Sequence, residues 1–184
     1  MVNLGRRVVV YGPTGSGKST VASRIARCLA VPHIELDAIH WLPGWVENPL
    51  DEFRAEVSAI LSGCADGWVC DGNYSKVRDL VLPQADTVVW LRLPLRVSFW
   101  RLLKRTMSRA LRRELLWGTN RESWRLSFLS RDSLLVYAFT MGRHTGDKAR
   151  RIREAIPQGT TLYELRSARE AEAFLAGLCS GRPD

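Results

Sequence analysis

Residues 12–19 read Gly12-Pro13-Thr14-Gly15-Ser16-Gly17-Lys18-Ser19, followed by Thr20. This run meets the spacing G-x-x-x-x-G-K-[ST] at every fixed position. The residue types follow from the chemistry. Glycines let the backbone fold back so that several N–H groups point at one anion. A helix beginning at the end of the run adds free N–H groups and a partial positive charge. Lys18 brings an ammonium to the outer phosphates, and the Ser19 hydroxyl suits Mg2+. Gly12, Thr14, Gly15, Ser16, Gly17, Lys18, Ser19 and Thr20 are therefore the candidate nucleotide-binding residues.

A chance match would lack the flanks that the motif needs. Here Arg6-Arg7-Val8-Val9-Val10-Tyr11 precedes it, a short β-branched run ending at glycine. Behind it Val21, Ile25, Cys28 and Leu29 recur at helical spacing. Strand, loop and helix stand in the required order. Triphosphate binding is the expectation, and it does not by itself name a reaction.

Moving outward, strands and helices alternate. That is the pattern of a parallel sheet covered on both faces. His33-Ile34-Glu35-Leu36, Gly67-Trp68-Val69-Cys70, Thr87-Val88-Val89-Trp90-Leu91 and Thr161-Leu162-Tyr163-Glu164-Leu165 read as further strands. Ala38 to Asn48, rich in Trp, Pro and Gly, reads as a loop. Phe53, Val57, Ile60 and Leu61 mark a helix. A long helix starts near Pro94 or Leu95. Trp100, Leu103, Met107 and Ala110–Leu111 form its expected apolar face, and Arg101, Arg105, Arg109 and Arg112 lie on another. The stretch Trp117-Gly118-Thr119-Asn120 breaks it, and a second helix is expected from Arg121 to Met141. Ser167, with Glu170 three places on, opens a last helix through a capping box.

The chain of 184 residues suits one α/β domain, and no apolar run approaches the ~20 residues of a membrane span. The N-terminus runs almost directly into the first strand, so no leader is expected. The cysteines, Cys28, Cys64, Cys70 and Cys179, show no C-x-x-C spacing. Reduced thiols in a cytoplasmic protein are expected rather than disulfides or zinc. The net charge of +8 points to anionic partners, which include nucleotides and nucleic acid alike.

In an open parallel sheet the ligand lies at the carboxyl ends of the strands. Asp37 and Asp71 stand at two such ends. A carboxylate there can hold a metal's waters or accept a proton from an attacking hydroxyl. Each could instead cap a helix or serve a turn. The arginine row lacks acidic neighbours: none lies between Arg96 and Arg113. Its mutual repulsion is relieved when a phosphate arrives, which makes Arg101 and Arg105 candidate catalytic cations. Trp41 and Trp45 can stack on a base or cover the core. His40 can bond a substrate. Arg121, Arg125, Arg131 and Arg143 lie in a basic, interrupted region suited to a lid.

These residues carry a resemblance. The phosphate loop, Asp71-Gly72-Asn73-Tyr74, and Pro94 followed by Arg101 and Arg105 resemble the nucleoside-monophosphate kinase group, to which adenylate kinase belongs. Leu36-Asp37-Ala38-Ile39-His40-Trp41, Pro43-Gly44-Trp45, Trp68 through Tyr74, and Asn120-Arg121-Glu122-Ser123-Trp124 resemble an adenylate-kinase-like bacterial subgroup labelled topology modulation proteins. The resemblance implies a three-layer P-loop kinase fold with a five-stranded parallel sheet, order 2-3-1-4-5. It implies ATP and Mg2+ as ligands and a lid over the phosphates. Arg101 and Arg105 carry over as phosphate or adenine contacts. Asp71 and Gly72 match the Asp-Gly of the adenylate kinase run Asp-Gly-x-Pro-Arg, whereas Asn73-Tyr74-Ser75 replace its remainder and Arg78 comes three places late. The Asp37 loop is more similar to that of small-metabolite kinases such as shikimate kinase.

The expectation is one kinase domain over residues 1–184, with an acceptor-binding insertion at 38–62 and a basic lid-like region at 109–146. Lys18, Asp71, Asp37, Arg101 and Arg105 are the candidate catalytic residues. Asp37, His40, Trp41, Gly72, Asn73, Tyr74 and Arg78 face the acceptor, while Ser19, Asp71 and Asp37 serve the metal. Partners are a nucleotide and a small-molecule acceptor, with the protein a monomer or homodimer. Two other readings stay open: a nucleotide-binding regulator on DNA, and an ATPase switch that needs no acceptor.

Overall fold

The computed structural model describes residues 2–112, 115–116, 120–121, 150 and 152–179. Its centre is β1 (Arg7–Tyr11), whose residues Val8 to Tyr11 are all buried. A strand covered on both faces needs an unbroken apolar run, which Val8-Val9-Val10 supplies. Beside it lie β2 (His33–Glu35), β5 (Trp68–Asp71), β6 (Thr87–Leu91) and β9 (Thr161–Leu165). All pair in parallel, in the order β2-β5-β1-β6-β9. Counting these five strands alone, the order is 2-3-1-4-5, as the resemblance implied. Strand period 2 splits the core in two. Val8, Val10, Val69 and Val89 face α1 (Lys18–Leu29) and α6 (Ala168–Cys179), while Val9, Tyr11, Cys70 and Val88 face α3 (Leu50–Gly63) and α4 (Arg78–Val81).

The segment expected as a loop after β2 is ordered. A helical turn, α2 (Leu36–His40), leads into a two-stranded hairpin, β3 (Trp41–Leu42) with β4 (Val46–Glu47). The turn between them is Pro43-Gly44-Trp45, with φ 78° at Gly44 and 62° at Trp45. Strands of two residues are too short to show an alternating pattern, so they leave no periodic signal along the chain. Asn48 ties the hairpin back: its backbone N–H donates to the His40 carbonyl at 2.8 Å and its amide to the Ile39 carbonyl at 3.0 Å.

Helix α5 (Leu95–Arg112) starts where expected. Its phase differs from the expected one. Ser98 and Leu102 are buried, and Trp100 stands 59% exposed. Contact with the phosphate loop, rather than apolarity, decides which side faces inward. Short strands β7 (Leu115–Leu116) and β8 (Asn120–Arg121) pair beyond it, so Arg121 is in a strand and not at a helix start. The rest of the lid-like region lies outside the described residues. The capping box holds: Ser167 Oγ accepts from the Glu170 N–H at 3.1 Å, and a Glu170 carboxylate oxygen accepts from the Arg166 N–H at 2.8 Å. Cys64 and Cys70 are free, as expected, but Cys28 is disulfide-bonded. Sequence spacing speaks only for local cysteine pairs, and Cys28 sits on α1, which packs against the remote α6.

Phe53 is fully buried and meets the rings of His40 and Tyr74 at 5.1 and 5.4 Å. Phe53→Ala should cost about 3–5 kcal/mol of stability in urea unfolding. A loss under about 1 kcal/mol would show that this cluster is not part of the core.

Candidate active site

The phosphate loop joins β1 to α1 and is shaped by backbone bonds. The Ser16 N–H donates to the Pro13 carbonyl at 3.1 Å, and the Val21 N–H to the Gly17 carbonyl at 3.0 Å. Gly17, at φ 90°, is the residue before the first helical turn. No acidic side chain lies in that first turn, so its N–H groups present an uncompensated positive end. Gly15, at φ 79°, lies against α5. A Cβ there would collide with the Ser98 carbonyl and come within 2.9 Å of Leu102 Cβ. Lys18 Nζ donates to the Pro13 carbonyl at 3.4 Å across the loop. Arg101 Nη1 reaches the Ser16 carbonyl at 3.4 Å. The structure thus brings Arg101 to the loop. Arg105 is one helical turn further along α5, and its side chain lies outside the described residues.

At the end of β5, Asp71 is 2% exposed. Its Oδ2 accepts from Ser19 Oγ at 2.7 Å. Its Oδ1 lies 3.1 Å from His33 Nε2. Strand residue His33 was not singled out in the sequence, because its partner is 38 positions away. The donor set suits Mg2+, since the Ser19 hydroxyl and the Asp71 carboxylate are hard oxygens. Mg2+ is held by one or two protein oxygens plus phosphates and water, which is what Ser19 and Asp71 offer.

Asn73 clamps the base of the loop. Its Nδ2 donates to the Gly12 carbonyl at 2.5 Å, and its Oδ1 accepts from the Gly12 N–H at 3.3 Å. Gly72, just before it, packs against Leu36, 2.8 Å from where a Cβ would sit. Thr20 is exposed on the first turn of α1.

Among the residues expected to face an acceptor, Tyr74 Oη donates to Asp37 Oδ1 at 2.6 Å. Burial and the adjacent Asp37 carboxylate both push the Tyr74 hydroxyl well above its usual range, so it stays a donor. Behind Tyr74 the His40 ring stacks at 4.5 Å, and Trp41 and Trp45 meet edge to face at 5.8 Å. His40 is 4% exposed, and its Nδ1 has no partner. It packs behind the acceptor-side residues. Arg78 bonds the buried Tyr11 hydroxyl, whose pKa burial raises to about 12 against a smaller opposing pull from Arg78.

No family model and no curated protein matches the sequence. Solved structures do. A sugar kinase from Janibacter sp. HTCC2649 superposes with TM-score 0.53 at 18% identity, over 95% of this chain and 92% of that one. A shikimate kinase from Acinetobacter baumannii, in complex with shikimate, gives 0.53 at 16%, over 97% and 96%. The chain shares its fold with small-molecule kinases. The neighbours are thus kinases built on the same five-stranded architecture. Among the described residues no helix is long and apolar enough to cross a membrane.

Burial lowers the His40 pKa from 6.5, against a smaller opposing pull from Glu47 at 3.8 Å. The folded state therefore disfavours the imidazolium that the unfolded chain accepts. His40's contribution is complete above pH 6.5 and is lost as pH falls through its depressed value. His40→Phe should reduce the drop in urea midpoint between about pH 7.5 and about pH 5.5. An unchanged acid-side drop would show that His40 is not buried in its neutral form.

Proposed function

We propose that the protein is an ATP-dependent phosphotransferase, moving the γ-phosphate of ATP to a nucleotide or other small-molecule acceptor. The observation that carries this reading is the bare-backbone loop of residues 12–19 with Ser19 bonded to a buried carboxylate at the next strand end. The shared fold with a sugar kinase and a shikimate kinase supports it.

In this reading the N–H groups of residues 15 and 17–20 and the Lys18 ammonium hold the β and γ phosphates, while the Ser16 N–H closes the loop on the Pro13 carbonyl. Ser19 and Asp71 would hold Mg2+, with Asp37 on α2, just past the end of the neighbouring strand β2. Bound there, Mg2+ supplies neutralisation of charge on the outer phosphates. The acceptor sits between the 38–62 insertion and Asn73, Tyr74 and Arg78. Its hydroxyl oxygen forms the new bond to the γ-phosphorus as the bond to the β–γ bridging oxygen breaks. The hydroxyl proton passes to Asp37, whose other polar contact, Tyr74, keeps it in place. Arg101, with Arg105 and an arginine of the 109–146 region closing as a lid, stabilises the transferring group. The cytoplasm, which supplies ATP, is the proposed compartment. The resemblance to topology modulation proteins and the +8 charge leave DNA as a further anionic partner.

The test is steady-state turnover of ATP with nucleotides, nucleosides and small hydroxylated metabolites. At least one acceptor should raise ADP release about tenfold or more above plain hydrolysis. Hydrolysis indifferent to every acceptor would contradict the kinase reading and favour an ATPase switch.

A further inference from the structure

We infer that His33 is a positioning residue for the metal side of the phosphate site, acting through Asp71. The inference rests on the reading of that site as one for Mg2+ and nucleotide.

Three observations converge. First, Asp71 is buried and its two oxygens are divided: Oδ2 takes the Ser19 hydroxyl at 2.7 Å, and Oδ1 faces His33 Nε2 at 3.1 Å. A carboxylate out of water needs partners on both oxygens. Here one partner belongs to the phosphate site and the other does not. Second, the register makes the contact a property of the sheet. His33 pairs with Val69 and Glu35 with Asp71. Alternation therefore puts His33, Val69 and Asp71 on the face that α1 covers, one rung apart. Third, the ladder does not call for a histidine at position 33. His33 lies on the edge strand β2, half-buried, where any β-former would complete the ladder.

A carboxylate held at one oxygen can swing about its last side-chain bond. Held at both, its plane is fixed, and so is the direction in which Ser19 offers its lone pairs. Outer partners of this kind orient the groups that ligate a metal. With His33 Nε2 donating, Ser19 donates to Asp71 and keeps its acceptor capacity for the cation.

The experiment compares ATP affinity with Mg2+ and with EDTA, by calorimetric titration, for the native chain, His33→Ala and His33→Gln. Thermal midpoints are measured in parallel. In the native chain Mg2+ should tighten ATP binding. His33→Ala should weaken Mg2+-ATP binding by about tenfold or more while leaving metal-free ATP binding within about twofold. His33→Gln, whose amide can donate to Asp71, should recover most of the loss. If His33→Ala binds Mg2+-ATP like the native chain, or loses both affinities equally, the inference fails while the site reading stands. Should His33→Ala not fold, His33→Gln decides: a full loss of the Mg2+ effect overturns the inference. A native chain that binds ATP without regard to Mg2+ overturns both.

Discussion

One constraint organises the molecule: the loop of residues 12–19 has to be held so that the first turn of α1 presents its backbone N–H groups with no acidic side chain beside them. Everything around residues 12–19 serves that end. Asn73 holds Gly12 through both its N–H and its carbonyl. Helix α5 presses Ser98 and Leu102 against Gly15, where even a methyl group would not fit. The buried strand β1 feeds the loop and α1 carries it away. Backbone donors fixed in this way need no reorganisation when an anion arrives, which is the condition for strong electrostatic stabilisation.

The second level is the ring of strand ends beside the loop. Asp71 is buried, bonded and tied to the phosphate side. Asp37 is half-buried, and its bonded partner is a tyrosine kept protonated by burial. These environments place the two carboxylates differently, Asp71 against Ser19 of the phosphate loop and Asp37 beside Tyr74. Behind Asp37, Phe53 and His40 back the Tyr74 ring and Trp41 extends the cluster, so the acceptor side rests on packing rather than on a free loop.

Much of this was legible in the sequence, and the reasons differ by element. The strands of the sheet follow from β-branched runs that alternate with helical periods, while their order followed only from the resemblance to the nucleoside-monophosphate kinase group. The rule that ligands lie at strand ends singled out Asp37 and Asp71; Asp71 does end β5, whereas Asp37 lies on α2, two residues beyond the end of β2. The hairpin of residues 41–47 was missed because two-residue strands leave no period to detect. The inward side of α5 was misjudged at Trp100, because the helix seats on backbone at Gly15, and a backbone surface has no hydropathy signal. His33 and the disulfide state of Cys28 were missed for a common cause. The partner of His33 is remote in sequence and brought near by the sheet, and the spacing of cysteines along the chain speaks only for local pairs.

The central claim is that residues 12–19 grip the tail of a nucleotide. Calorimetric titration of Mg2+-ATP into the native chain and into Lys18→Ala tests it most directly. The account predicts a weakening of at least about tenfold, or about 1.4 kcal/mol, with the thermal midpoint of the unliganded chain little changed. Equal affinity in the two proteins would contradict it.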